Sequence, residues 1–161
     1  MNFISSLSFI KSAPINKIGF DDVLFAINDN FHKEIIIINT LPQNEQEFLI
    51  KGTIPYNLEE EKINKIIESG NYYKYKIIIY GKNTTDFTIE TKYKQLKDFG
   101  FTQVFIYYGG LFEWVLLQDI YGDDIFSTTI FYQNKYINLN EYKKIVGQDI
   151  LLKWKPKSNF I

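Results

Sequence analysis

The chain contains no cysteine and no arginine, and only one histidine and one methionine, among its 161 residues. The missing cysteine excludes disulfides, zinc–thiolate sites and thiol catalysis together. It fits a reducing compartment without requiring one. The missing arginine removes the planar fork that clamps phosphate or carboxylate through two parallel hydrogen bonds; all 18 basic residues are lysine. No window approaches the roughly 20 apolar residues of a spanning helix. The leading segment Met1 to Lys17 has a short apolar run and no basic start, so no signal peptide is expected. With a net charge of -1 the chain has no overall pull on nucleic acid. These features suggest an intracellular protein, cytoplasmic or associated with a larger particle.

What is present is ample core material. The chain is 45% hydrophobic and 23% charged, which suits one folded domain of ordinary size. Aromatic residues reach 17%, a rich supply for packing or for a partner surface. The bias toward Ile, Asn, Lys and Tyr would follow from an AT-rich genome and carries no functional signal.

Along the chain, β-branched runs alternate with amphipathic stretches. Ile15 to Ile18 predicts a short strand, followed by a helix over Asp22 to Ile27 with Asp21 as its cap and Val23, Leu24 and Ile27 on one face. Glu34 to Asn39 holds four consecutive isoleucines, as expected of a strand buried on both faces. Leu41 to Tyr56 reads as a long connection broken by Pro42, Gly52 and Pro55. Asn57 can cap a helix to Ser69, with Glu59, Glu60 and Glu61 in its first turn and Ile63, Ile66 and Ile67 as its buried stripe. Lys76 to Tyr80 is a second buried strand. Thr84 or Thr85 can cap a helix ending at Phe99 and Gly100, and Val104 to Tyr107 is a third central strand. Gly109 and Gly110 lead into a helix over Leu111 to Tyr121. Ile125 to Ile130 suggests one more strand and Asn140 to Val146 a short helix. The alternation implies an α/β fold with a mainly parallel sheet.

The stretch from Lys76 to Trp114, strand, loop, helix, strand, Gly-Gly and a helix bearing Trp, resembles the active-site half of a rhodanese-like domain, the fold of sulfurtransferases and of the related cell-cycle phosphatases. The resemblance runs from about Ile18 to Tyr121. It implies a three-layer fold, with a domain over residues 1–122 and a short C-terminal extension over 123–161. In that family a cysteine follows the first strand of the motif and opens the loop. The matching place here is Gly81, and the loop continues Lys82, Asn83, Thr84, Thr85, Asp86. Its length is similar to the short sulfurtransferase loop. The family's basic residue at the loop end has become Asp86, which would repel an anion while suiting a helix N-terminus. The family's acid and arginine after the preceding strand are replaced by Asn39, Thr40 and Leu41, and the histidine of a Gly-His-Ile-Pro turn by Thr53.

Without a thiol no persulfide or phosphocysteine can form, so no catalytic residue, cofactor or metal is expected. The reading is a catalytically inactive member, a pseudoenzyme acting as a protein-binding or structural module; assembly into a particle, including a virion, is compatible with the composition. The alternative is binding of a small anion or small molecule at the loop, Gly81 to Asp86, with an unrecognised activity. His32, in a loop, reads as a surface residue. Asp119, Asp123 and Asp124 read as solvated or paired with lysines of the tail. That tail interleaves Lys153, Lys155 and Lys157 with Trp154 and Phe160, a candidate anchor for a protein partner or for the chain's own domain; nucleic acid is not the expected target. Tyr107 and Tyr108 stand at a strand's carboxyl end, where open α/β sheets bind ligands.

Overall fold

The computed structural model describes residues 14–28 and 34–130. Its elements are β1 (Lys17–Ile18), α1 (Phe20–Asn28), β2 (Ile35–Asn39), β3 (Phe48–Ile50), α2 (Tyr56–Glu68), β4 (Lys76–Tyr80), α3 (Thr88–Asp98), β5 (Gln103–Tyr107), α4 (Gly110–Tyr121) and β6 (Thr128–Ile130). One sheet has the order β1-β5-β4-β2, every pair parallel, with Ile38 opposite Ile79 and Ile79 opposite Ile106.

The isoleucine runs explain the layering. Successive side chains of a strand point to opposite faces, so Ile36, Ile38, Ile77 and Ile79 join Ile63 and Ile66 of α2 and Ile89 and Leu96 of α3 in one cluster. Ile37, Ile78, Tyr80 and Tyr107 face the other way, toward Val23 of α1 and Leu111 and Trp114 of α4. Ile38, Ile77, Ile79 and Ile106 are fully buried. Full burial of such a side chain contributes about 1.5–3 kcal/mol relative to exposure. The result is a three-layer α/β/α arrangement with a central parallel sheet, as the resemblance implies.

Several local expectations are corrected. The connection after Leu41 contains β3, which pairs antiparallel with β6 in a small second sheet. Between Ile125 and Ile130 only the last three residues are strand, and Phe126 is buried against Trp114. Asp21 lies inside α1, and the Gly19 N–H is taken instead by the carboxylate of Asp22. Asn57 lies inside α2, whose cap position is Pro55. The α3 helix begins at Thr88, so neither Thr84 nor Thr85 caps it. The Asn140 to Val146 helix falls outside the described residues. No described helix is long and apolar enough to cross a membrane.

Candidate functional site

The β4 strand ends at Tyr80 and residues 81–87 carry the chain to α3. The loop is organised around one carboxylate. Asp86 Oδ2 accepts the Lys82 N–H at 2.9 Å, and Asp86 Oδ1 accepts the Thr88 N–H at 3.0 Å. The Thr88 hydroxyl lies 2.5 Å from Asp86 Oδ1 and 2.7 Å from the Thr40 hydroxyl. Asn83 Oδ1 takes the N–H of Thr85 at 3.0 Å and its hydroxyl at 2.8 Å. A negative group at the first turn of α3 is also favoured by the helix dipole. Asp86 thus serves the helix start, as its position in the sequence suggests.

Position 81 has no room for a side chain. A Cβ there would collide with Asp86 Oδ2 and would lie 2.8 Å from Asp86 Cγ and 2.8 Å from Ile89 Cγ2. The loop is closed on its other side by α4. The Leu111 N–H donates to the Gly81 carbonyl at 3.0 Å and the Phe112 N–H to the Lys82 carbonyl at 3.0 Å. Two of the free N–H groups at the start of α4 are therefore satisfied by the loop itself. This approach needs Gly110, whose φ is +64° and whose Cβ would stand 2.6 Å from the Gly81 carbonyl oxygen. Of the Gly-Gly pair only Gly110 is left-handed; Gly109 has φ -55°.

The charged side chains around the loop are also engaged. Lys82 Nζ lies 2.6 Å from Glu45 Oε2, and both side chains are mostly covered. Lys92 pairs with Glu59. The Tyr108 hydroxyl donates to Glu90 at 2.8 Å, with Lys17 Nζ 5.0 Å from its ring centre. Loss of solvent, then the Glu90 carboxylate, push the Tyr108 hydroxyl up to about 12. Tyr107 is buried; burial first and the Glu113 carboxylate second push its ionisation upward. Tyr107 packs edge-on against Trp114, which is fully buried under the sheet and donates to the Ser127 carbonyl at 3.1 Å.

Two grooves are open nearby. One of about 310 Å³ is lined by Asn39, Thr40, Thr88, Thr91, Lys92 and Gln95. The other, about 860 Å³, runs from Gln43, Gln46 and Leu49 to Tyr56 and Leu58. Residues 81–87 line neither. Asn39 and Thr53 have internal uses. Asn39 Oδ1 accepts the Leu41 N–H, and the Thr53 hydroxyl pairs with Tyr80 at 2.9 Å.

The structure brings Gly81, Lys82, Asn83, Thr84, Thr85 and Asp86 together in this one loop, joins Thr40 to it, and adds two participants that the sequence does not single out, Glu45 and Thr88. Glu45 sits in a short 3₁₀ turn, 37 positions before Lys82, with no local pattern to link them. Asp119 near the end of α4 and Asp123 and Asp124 just after it are exposed. Among the described residues no group of three or more His, Asp or Glu side chains is placed to hold a metal ion. His32, Lys153, Trp154, Lys155, Lys157 and Phe160 lie outside the described residues.

No family model matches the sequence, and no curated protein sequence matches it. Solved structures do match in shape. The BH2092 protein of Bacillus halodurans aligns with a TM-score of 0.50 and 18% identity, covering 62% of this chain and 70% of its own. The single-domain sulfurtransferase RDL2 of Saccharomyces cerevisiae aligns with a TM-score of 0.49 and 14% identity, covering 71% and 97%. The Rhodanese_3-like domain of Alr3790 from Anabaena sp. aligns with a TM-score of 0.43 and 19% identity, covering 64% and 99%. The likeness is one of fold. The chain has a rhodanese-like α/β fold and no cysteine in its sequence.

Proposed function

We propose that this chain is a non-catalytic rhodanese-like module that binds a protein partner or serves as a structural part of a larger assembly. One observation carries the reading: the space a nucleophile at position 81 would need holds the carboxylate of Asp86 and the side chain of Ile89. Sulfur transfer needs a thiolate that attacks and then carries the sulfur. The chain has no thiol at any position. The packing of the fold is kept while its usual chemistry lacks a nucleophile, and fold alone does not dictate activity.

The alternative, binding of a small anion at the loop, has weaker support. The Lys82 and Thr88 amides already donate to Asp86, and the Lys82 ammonium is paired with Glu45. The test has two arms. Pure protein is assayed for sulfur transfer from thiosulfate to cyanide; no turnover above buffer is expected, and turnover abolished by changing residues 81–86 would overturn the reading. Protein isolated under native conditions from its source is then sized. A stable complex or particle is expected; a partner-free monomer there would defeat the binding and structural role.

A further inference from the structure

The α4 helix is apolar on both sides. Leu111, Trp114 and Val115 face the core, yet Phe112, Leu116 and Ile120 are respectively 38%, 37% and 61% exposed. They follow one another at four-residue intervals, so they form a single stripe along the outer face. Tyr121 at the helix end and Ile125 beyond it are also exposed, at 61% and 51%. A helix that is hydrophobic all round is ordinarily covered, and a continuous apolar patch of this kind marks an interaction surface.

The charged residues in this stretch of the chain are of one sign. Residues 100–130 contain Glu113, Asp119, Asp123 and Asp124 and no lysine. The last turn of α4 carries no basic residue, and Asp119, Asp123 and Asp124 lie at or just past the negative end of its dipole, a place that favours cations, while Glu113 is in the first turn. Two copies of this face would oppose acid to acid. A second copy presenting the same face is therefore a poor occupant. The chain's own C-terminal part has the complementary character. Residues 131–161 contain six lysines and two acids. Within it, Leu151 to Ile161 interleaves Lys153, Lys155 and Lys157 with Leu152, Trp154 and Phe160.

Distance permits the contact. The last described strand, β6, begins beside α4: the Gln118 side-chain amide lies 3.3 Å from the Thr128 hydroxyl and 2.6 Å from the Phe126 carbonyl. The 20 residues between Ile130 and Leu151 span up to about 66 Å when extended, whereas α4 is only about 18 Å long. We infer that the outer face of α4 is a docking surface and that Leu151 to Ile161 of the same chain is its occupant, with Trp154 and Phe160 on the apolar stripe and the lysines on the acidic rim. The inference does not depend on the loss of catalysis argued above.

The test is carbodiimide cross-linking of the full chain, which joins a lysine only to a carboxylate it touches, in an equal mixture of unlabelled and nitrogen-15-labelled protein. Lys153, Lys155 and Lys157 are expected to join Asp119, Asp123 or Asp124 within one molecule. Ile120→Ser, at an exposed site, and Trp154→Ser are each expected to lower the yield by roughly fivefold or more, the effect of losing about 1 kcal/mol of apolar contact. Unchanged circular dichroism shows that each variant is folded, and each tests the contact independently of the other. Cross-links chiefly to other carboxylates, yields unchanged in both variants, or mixed labelled–unlabelled products approaching the roughly half that random joining between molecules gives in an equal mixture would overturn the inference.

Discussion

The carboxylate of Asp86 occupies the space that any side chain at Gly81 would enter. Its two oxygens take the N–H groups of Lys82 and Thr88, one at each end of the loop. In a loop whose amides are suited to hold an anion, the negative charge is thus supplied by the chain itself. This relationship links the glycine at 81 to the acid at 86: one without the other would leave either a clash or unpaired donors.

Replacing Asp86 with alanine removes the acceptor of both amides. Stability is expected to fall by about 1–2 kcal/mol, as for loss of a helix cap. The freed loop should then gain an affinity that the native chain lacks. Millimolar sulfate or thiosulfate is expected to raise the melting temperature of Asp86→Ala above its effect on the native chain, since a ligand of the native state stabilises it. Equal shifts in both proteins would refute the loop's self-occupation.

Restoring a cysteine at position 81 should not restore chemistry. The new Cβ must displace Asp86 and Ile89, each with an atom 2.8 Å away, an overpacking cost of about 1–3 kcal/mol. A thiol beside a carboxylate ionises less readily, not more. Gly81→Cys is expected to melt earlier and to transfer no sulfur from thiosulfate to cyanide. A catalytically competent Gly81→Cys would contradict this.

Gly110 should tolerate no substitution. Alanine there would hold a left-handed backbone and press on the Gly81 carbonyl oxygen at 2.6 Å, a backbone contact that cannot rotate away. Backbone strain and overpacking together predict a loss of roughly 2–4 kcal/mol, measured by denaturant unfolding. Gly109→Ala should be milder, because its φ is -55° and what it meets is the Glu113 side chain, chiefly the movable carboxylate, and no backbone atom.

Alkali should unfold the protein through its buried tyrosines. The folded-state ionisation of Tyr80 is raised by burial, outweighing its hydrogen bonds to Thr53 and Ile50, and that of Tyr107 by burial and Glu113. Tyr108 is raised to about 12. A group raised in the folded state stabilises fully below its unfolded value, near 10 for tyrosine, and loses that stabilisation as pH climbs toward the folded value. Stability should therefore be flat in the tyrosine term below about pH 10 and decline above it. In phenolate absorbance Tyr80 and Tyr107 should ionise only as the protein unfolds. Their ionisation in the folded protein would count against the buried placement.

The core of the fold was legible because its signals are local. The isoleucine runs at 35–38 and 77–79 announce strands covered on both faces, and the Gly109–Gly110 pair before Trp114 marks a close approach that only Gly110 turns out to need. The β3–β6 pair was hidden because each strand has three residues and its partner lies about 80 positions away. The helix starts were misplaced for a related reason. Asn57, Thr84 and Thr85 are good caps by residue type, but Pro55 and the Asp86 carboxylate hold the chain at those points. At the site, the sequence displayed the replacements at Gly81 and Asp86 separately. Their coupling is a matter of side-chain reach, as is the pairing of Lys82 with Glu45, and neither follows from spacing.

The most direct test of a self-occupied loop is a thiosulfate titration of the nitrogen-15-labelled full chain, followed through the amide resonances of Lys82, Asn83, Thr85 and Thr88. The account predicts that these resonances stay in place up to tens of millimolar while the same titration of Asp86→Ala moves them. A saturable shift of the Lys82 and Thr88 amides in the native chain would show the loop to be an open anion site and would contradict it.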